Sequence, residues 1–310
     1  MSLRSFRSAL IAAILFLGPV WVKPAPGADP GAWGPPTAGP IIVDNAVPVA
    51  PGSLVVQPYG FLRCTGGHFT GGWRRAGAGG DFTSLYMPVQ VFYGVAPNME
   101  VNLIASYLHN WAEGAARPGI KEPGAAAFGG LGDTRLTFKY QLVSETATRP
   151  TVTALAAVDF PAGHHLHLNP GRLGTDQLGT GAFTFTPGFN LSKYLAPFKL
   201  YANLWYSLFT AATVGTDRVH PRDRVTVNLA AEYPLSRRWV LLLEGYSQWD
   251  AGALVGPRSH QPPAALVGVL PGIEFLLHPR LYFELGASLD LAGKNTDCRY
   301  SPVFTMIFTF

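Results

Sequence analysis

The chain has 310 residues, nearly half of them apolar (48 %) and only 14 % charged, against about 25 % charged in an ordinary soluble chain. Glycine (35) and proline (27) are plentiful and aromatics reach 12 %, which argues against a soluble globular domain but leaves a helical membrane protein to be excluded by arrangement. The formal charge of +4 falls to +1 without Arg4, Arg7 and Lys23, and no basic run is interleaved with aromatics, so no nucleic-acid partner is expected.

The N-terminus has the layout of a secretory signal. Arg4 and Arg7 form a positive start, Ala9 to Val22 an apolar stretch, and Ala25-Pro-Gly-Ala28 a small-residue region. We expect 1–28 to be a signal peptide, the stretch being short for a spanning helix. A retained anchor helix is the alternative. Residues 29–51, with Trp33 and Pro35-Pro36, read as a Pro-rich periplasmic segment, the barrel lumen being the other placement.

From residue 52 onward no run of eighteen uninterrupted apolar residues occurs, and the pattern becomes one of period two. Strands are predicted near 52–63, 84–95, 99–111, 131–143, 150–161, 180–192, 197–210, 222–234, 239–250, 264–277, 280–291 and 300–310. In the last, Tyr300, Pro302, Phe304, Met306, Phe308 and Phe310 share one face, and Ser301, Val303, Thr305, Ile307 and Thr309 the other. Short turns at Pro97-Asn98, Ser144–Arg149, Lys193–Ala196, Leu235–Arg238 and His278-Pro279 alternate with long loops at 64–83, 112–130, 162–179, 211–221, 251–263 and 292–299. Short–long alternation is the organisation of an outer-membrane barrel, with tight periplasmic turns and longer outside loops. Backbone polar groups cannot stay unpaired in hydrocarbon, so a spanning sheet must close on itself. The expected fold is therefore all-β, a transmembrane antiparallel up-and-down β-barrel of about twelve strands over 52–310, in the outer membrane of a Gram-negative cell.

The charges respect that arrangement. Arg135, Lys139, Asp159, Lys199, Glu232, Glu244, Glu274, Glu284 and Asp290 all fall on the face assigned inward, with the aromatics Tyr201, Trp205, Tyr246 and Tyr282. These residues, Asp290 apart, are the pore-lining candidates. The aromatics could form a slide for ring compounds or simply fill space.

Cys64 closes the first strand and Cys298 opens the last, strands that become neighbours on closure, so a disulfide is expected in the oxidising export compartment, with two free thiols as the alternative. His164, His165 and His167 are weak metal candidates, since no carboxylate or cysteine adjoins them closely enough to complete a site, although Asp176 follows. Gly129-Gly-Leu-Gly132 precedes a strand rather than a helix, so it is no phosphate cradle; it reads as the end of a long loop. His109, His220 and His260, near Ser106, Asp223 and Ser259, match no catalytic spacing. Neither an enzyme nor a cofactor is expected.

Several short motifs together resemble the outer-membrane family named for the meta-pathway of phenol degradation. They are Phe92-Tyr-Gly-Val95, Gly130-Leu-Gly-Asp-Thr-Arg-Leu-Thr-Phe-Lys-Tyr-Gln-Leu142, Phe160-Pro-Ala-Gly163, Leu178-Gly-Thr-Gly181, Glu232-Tyr-Pro-Leu-Ser-Arg-Arg-Trp239 and Leu270-Pro-Gly-Ile273. The resemblance covers roughly 84–310 and implies an outer-membrane transporter or channel associated with aromatic degradation. No substrate-binding residue carries over, and Gly132-Asp133 reads as structural, turning a loop into a strand. The expected function is a channel for small, aromatic or otherwise hydrophobic solutes, with a structural or adhesive barrel as the alternative and a barrel enzyme behind both. The expected partners are outer-membrane lipid, the solute, and the barrel-assembly machinery, reached through the aromatic terminal strand ending at Phe310.

Overall fold

The computed structural model describes residues 37–77, 79–115, 124–256 and 259–310; the expected signal peptide and residues 29–36 lie outside the described residues. Twelve long antiparallel strands form the wall: β1 (Leu54–Phe69), β2 (Asp81–Ala96), β3 (Met99–Ala115), β4 (Thr134–Val143), β5 (Thr151–Phe160) and β6 (Thr184–Leu195). They continue as β7 (Phe198–Phe209), β8 (Arg224–Pro234), β9 (Trp239–Asp250), β10 (Ala264–His278), β11 (Leu281–Lys294) and β12 (Thr296–Thr309). Each pairs with its chain neighbours, and β12 closes on β1 in a register that sets Tyr59 opposite Thr305 and Phe61 opposite Val303. Closure leaves no sheet edge, so the wall backbone is satisfied without water.

The alternation explains why these segments are strands and which way they face. Leu229, Leu243 and Leu285 are more than half exposed on the outside, whereas Glu244 and Glu274 are fully buried inside. That polarity is the reverse of a soluble protein and suits a lipid-facing exterior. Exposed aromatics form two belts: Tyr93, Tyr140, Phe198, Tyr233 and Trp239 near the end of the tight turns, and Trp111, Phe160, Phe183, Trp249 and Tyr300 near the other end. Their amphipathic rings suit the two membrane–water interfaces. The Pro97-Asn98 turn places Asn98 at φ +66°, in the left-handed region that asparagine tolerates.

The outer rim departs from expectation. β1 runs to Phe69 rather than 63, β3 to Ala115 rather than 111, and β11 and β12 extend until only Asn295 separates them. Gly124–Leu131, expected within a loop up to residue 130, is a strand paired with the upper half of β3, Tyr107 opposite Leu131, and the strand expected from 131 begins at Thr134. Four short strands, Ala212–Val214, Asp217–Pro221, Ala253–Val255 and Ser259–Gln261, form a second small sheet. Beyond the lipid both faces of a hairpin meet water, so pairing continues while the alternation that reveals it disappears.

Candidate functional site: a partly filled lumen

Residues 37–50 lie inside the barrel, along the inner wall. The periplasmic placement expected for 29–51 therefore does not hold for this part. An extended segment without a sheet partner must satisfy its amides elsewhere, and the wall supplies acceptors in sequence. Val49 N–H donates to Glu100 Oε2 on β3 at 2.8 Å, and the Thr153 hydroxyl of β5 donates to Ala46 O. Asp44 accepts from Lys139 Nζ at 2.9 Å and Asn190 Nδ2 at 2.7 Å, while its own N–H donates to Asn203 Oδ1 at 2.9 Å. Glu244 on β9 accepts three successive backbone N–H groups, from Ile41 at 2.7 Å, Ile42 at 2.9 Å and Val43 at 2.8 Å. Glu274 on β10 takes Ala38 N–H at 2.8 Å and the Thr37 hydroxyl at 3.2 Å.

Apolar contact reinforces these bonds. Ile41 is buried with Tyr59, Phe61, Val240, Leu242, Leu270 and Val303. Gly272 and Gly286 recess the wall beneath it: a Cβ at either would lie 3.0 Å from Ile41 Cδ1. Lys139 sits between Asp44 at 2.9 Å and Glu100 at 2.7 Å, so its buried ammonium is neutralised by one carboxylate from the segment and one from the wall.

The segment does not fill the lumen. A cavity of ≈ 510 Å³ remains beside it, reaching from Ser53 and Thr309 at the periplasmic rim to Thr186 and Trp205 in the outer half. Of the sequence-derived candidates, Arg135, Lys139, Trp205 and Tyr282 line this space. Arg135 is held by a two-point pair with its cross-strand neighbour Asp159, at 2.6 and 2.8 Å. Glu244 and Glu274 hold the segment, Glu284 lies directly across from Glu274, and Tyr201 donates to Glu232 at 2.8 Å. Lys199 Nζ stands 5.1 Å over the Tyr201 ring, and Tyr246 donates to Asp290 at 2.8 Å. Sequence reasoning missed Asp44, Glu100, Asn190 and Asn203. The alternation around Glu100, Asn190 and Asn203 was readable; Asp44 lies in a segment with no periodicity.

Two other expectations meet corrections. Cys64 and Cys298 are both free thiols. The strands do adjoin, but Cys64 is opposite Tyr300 and Cys298 opposite Gly67, with an irregularity in register between Thr65 and Gly67. Nor are Gly129 to Leu131 the tail of a loop, since they lie in the strand paired with β3. As for the histidines, one ring nitrogen of His164 meets Asp176 O and one of His165 meets Gly163 O, each at 2.7 Å, while His167 has φ +51°. Among the described residues no group of three His, Cys, Asp or Glu side chains is placed to hold a metal.

Asp133 does more than turn the chain. Its carboxylate accepts from Gly163 N–H at 3.0 Å, Thr180 N–H at 2.8 Å and the Thr180 hydroxyl at 2.9 Å. Three of the short motifs thus meet in one knot that ties down the outer loop 161–183. Gly163 and Gly179 are required by the close approach, since a Cβ on Gly179 would come within 2.5 Å of Asp133 Oδ1.

A closed wall, an apolar belted exterior and a polar, partly filled interior define an outer-membrane β-barrel. The chain belongs to the family described as "Putative MetA-pathway of phenol degradation", whose profile matches residues 65–297. An outer membrane channel from Pseudomonas putida F1 superposes with a TM-score of 0.67 at 13 % identity, covering 92 % of this chain and 100 % of that one. The Ralstonia pickettii toluene transporter TbuX gives a TM-score of 0.42 at 10 % identity, covering 84 % of this chain and 90 % of its own, too distant to bear on function. No curated protein matches the chain.

Proposed function

We propose that the chain is a non-enzymatic outer-membrane channel for small solutes carrying an aromatic ring, with the N-terminal segment narrowing the passage at rest. The observation that carries the proposal is the ≈ 510 Å³ space between segment 37–50 and the wall. A purely structural barrel would have no need of a cavity of this size, lined by both polar and apolar side chains, beside the segment. Phe92, Trp205 and Tyr282 give that passage ring-sized apolar surfaces between the charged anchors. The family description, which names phenol degradation, supports the aromatic class. Outer-membrane lipid surrounds the barrel, and the terminal strand ending at exposed Phe310 is the handle offered to the assembly machinery.

The test is flux through the refolded protein in liposomes, using solutes that do not cross lipid unaided. Phenyl glucoside entering faster than sucrose supports an aromatic-accepting channel. Equal, protein-independent rates for both would overturn the proposal.

A further inference from the structure

Apart from Lys199, whose ammonium stands over the Tyr201 ring near the periplasmic end, one basic side chain inside the barrel differs from the others. Arg135 pairs with Asp159, Lys139 with Asp44 and Glu100, and Arg224 with Asp250. Arg63, on the inward face of β1, has no hydrogen bond and no ion pair among the described residues. A guanidinium offers five N–H donors, and Arg63 is only half-buried, so its fork keeps donors free within the lumen. Its orientation is nevertheless fixed, because the guanidinium carbon stands 4.0 Å over the Tyr86 ring and 5.7 Å over that of Phe61. Stacking of this kind holds the plane of the fork while leaving its edge free to bind. The carboxylate whose charge acts on it, Asp290, is already engaged by the Tyr246 hydroxyl and Arg299 N–H, each at 2.8 Å.

Its position gives the free edge a use. Tyr59 and Gln90 line the cavity, and Arg63 and Tyr86 stand four residues further toward the outer rim on β1 and β2 respectively. Arg63 and Tyr86 therefore lie on the outer side of the cavity. The apolar cluster of Tyr59, Phe61 and Ile41 lies just below.

Building on the channel proposal, we propose that Arg63, braced on Tyr86, is the recognition group for the carboxylate of an aromatic monocarboxylate at the outer approach to the cavity. The fork accepts the carboxylate in a two-point bond, and the ring of the solute rests on the aromatic wall beneath. Arg63 is then the residue that selects an anionic ring over its neutral counterpart. The bond forms and breaks reversibly as the solute moves inward.

The test compares benzoate with its neutral isostere benzyl alcohol, by calorimetric binding to the folded protein in detergent, for the natural chain, Arg63→Met and Arg63→Lys. The natural chain should favour benzoate by about tenfold or more, the factor of a charge-assisted bond. Arg63→Met should abolish that preference and Arg63→Lys should keep part of it, since charge survives but the fork does not. A packing role alone would weaken both probes together and leave their ratio unchanged, which overturns the inference. So does failure of the natural chain to prefer benzoate. Should Arg63→Met not fold, the reduced ratio in Arg63→Lys decides. Liposome flux of labelled 4-carboxyphenyl glucoside, an aromatic monocarboxylate that does not cross lipid unaided, separates the two proposals. Arg63-dependent binding without flux sinks the channel and keeps the site, whereas flux indifferent to Arg63 does the opposite.

Discussion

Glu244→Gln isolates the strongest anchor of the segment in the lumen. The carboxylate is fully buried and accepts N–H groups from Ile41, Ile42 and Val43, two of them on the same oxygen. Glutamine retains one acceptor oxygen, so two bonds survive as neutral ones while the third amide faces an NH2 donor. Bonds to a charged acceptor contribute about 1.5–3 kcal/mol and neutral ones about 0.5–1.5 kcal/mol, and an unmatched buried donor adds to the loss. Allowing for non-additivity, the substitution should weaken seating by about 3 kcal/mol, a factor of about a hundred between seated and released states. The bonds of Ala38 to Glu274, Asp44 to Asn190 and Val49 to Glu100 remain. The barrel itself keeps its ladder, so folding should persist. In planar bilayers the variant should spend about a hundredfold more time at a larger conductance level, by the same arithmetic. Limited proteolysis from the periplasmic side should cut within 37–50. Unchanged conductance and unchanged protection of those residues would refute the reasoning.

Ile41→Ala removes the apolar half of the same anchorage and should weaken seating by about 2–5 kcal/mol. It should reproduce the conductance change of Glu244→Gln while leaving heat-resistant gel mobility of the barrel intact. Asp133→Ala deletes the acceptor for Gly163 and Thr180. Protease added outside should then cleave within 161–183, with the wall strands still protected; continued resistance there would show that the knot does not hold the loop. Both cysteines should react with maleimide in the unfolded, unreduced protein, and in the folded barrel half-buried Cys64 should label before buried Cys298. A reductant-dependent gain of thiols would mean that a disulfide forms after all.

The lipid-spanning wall was legible because burial there is one-sided. Val303 and Thr305 inside, Phe304 outside, follow directly from alternation, and so do the inward Glu244 and Glu274. What those carboxylates bind was not legible, because residues 37–50 have no period and, the Thr37 hydroxyl apart, it is their backbone amides that reach Glu244 and Glu274. The rim hid its strands for a related reason: Gly124–Leu131 pairs only with β3 and consists mostly of glycine and alanine without alternation, so it looks like a loop. Strand ends predicted that Cys64 and Cys298 would be neighbours, yet register decides side-chain pairing, and the irregularity at Thr65–Gly67 is a backbone event with no residue-type signature. Asp133 was noticed as a turn residue; its partners, Gly163 and Thr180, lie in a separate loop and only the fold joins them.

The most direct measurement is solute flux into liposomes containing the intact mature protein, alongside a chain lacking residues 37–50. Faster uptake of phenyl glucoside than of sucrose by the intact chain, with both rates raised and the preference reduced in the shortened one, is the predicted result. Uptake no faster than in protein-free liposomes for either chain would contradict a channel.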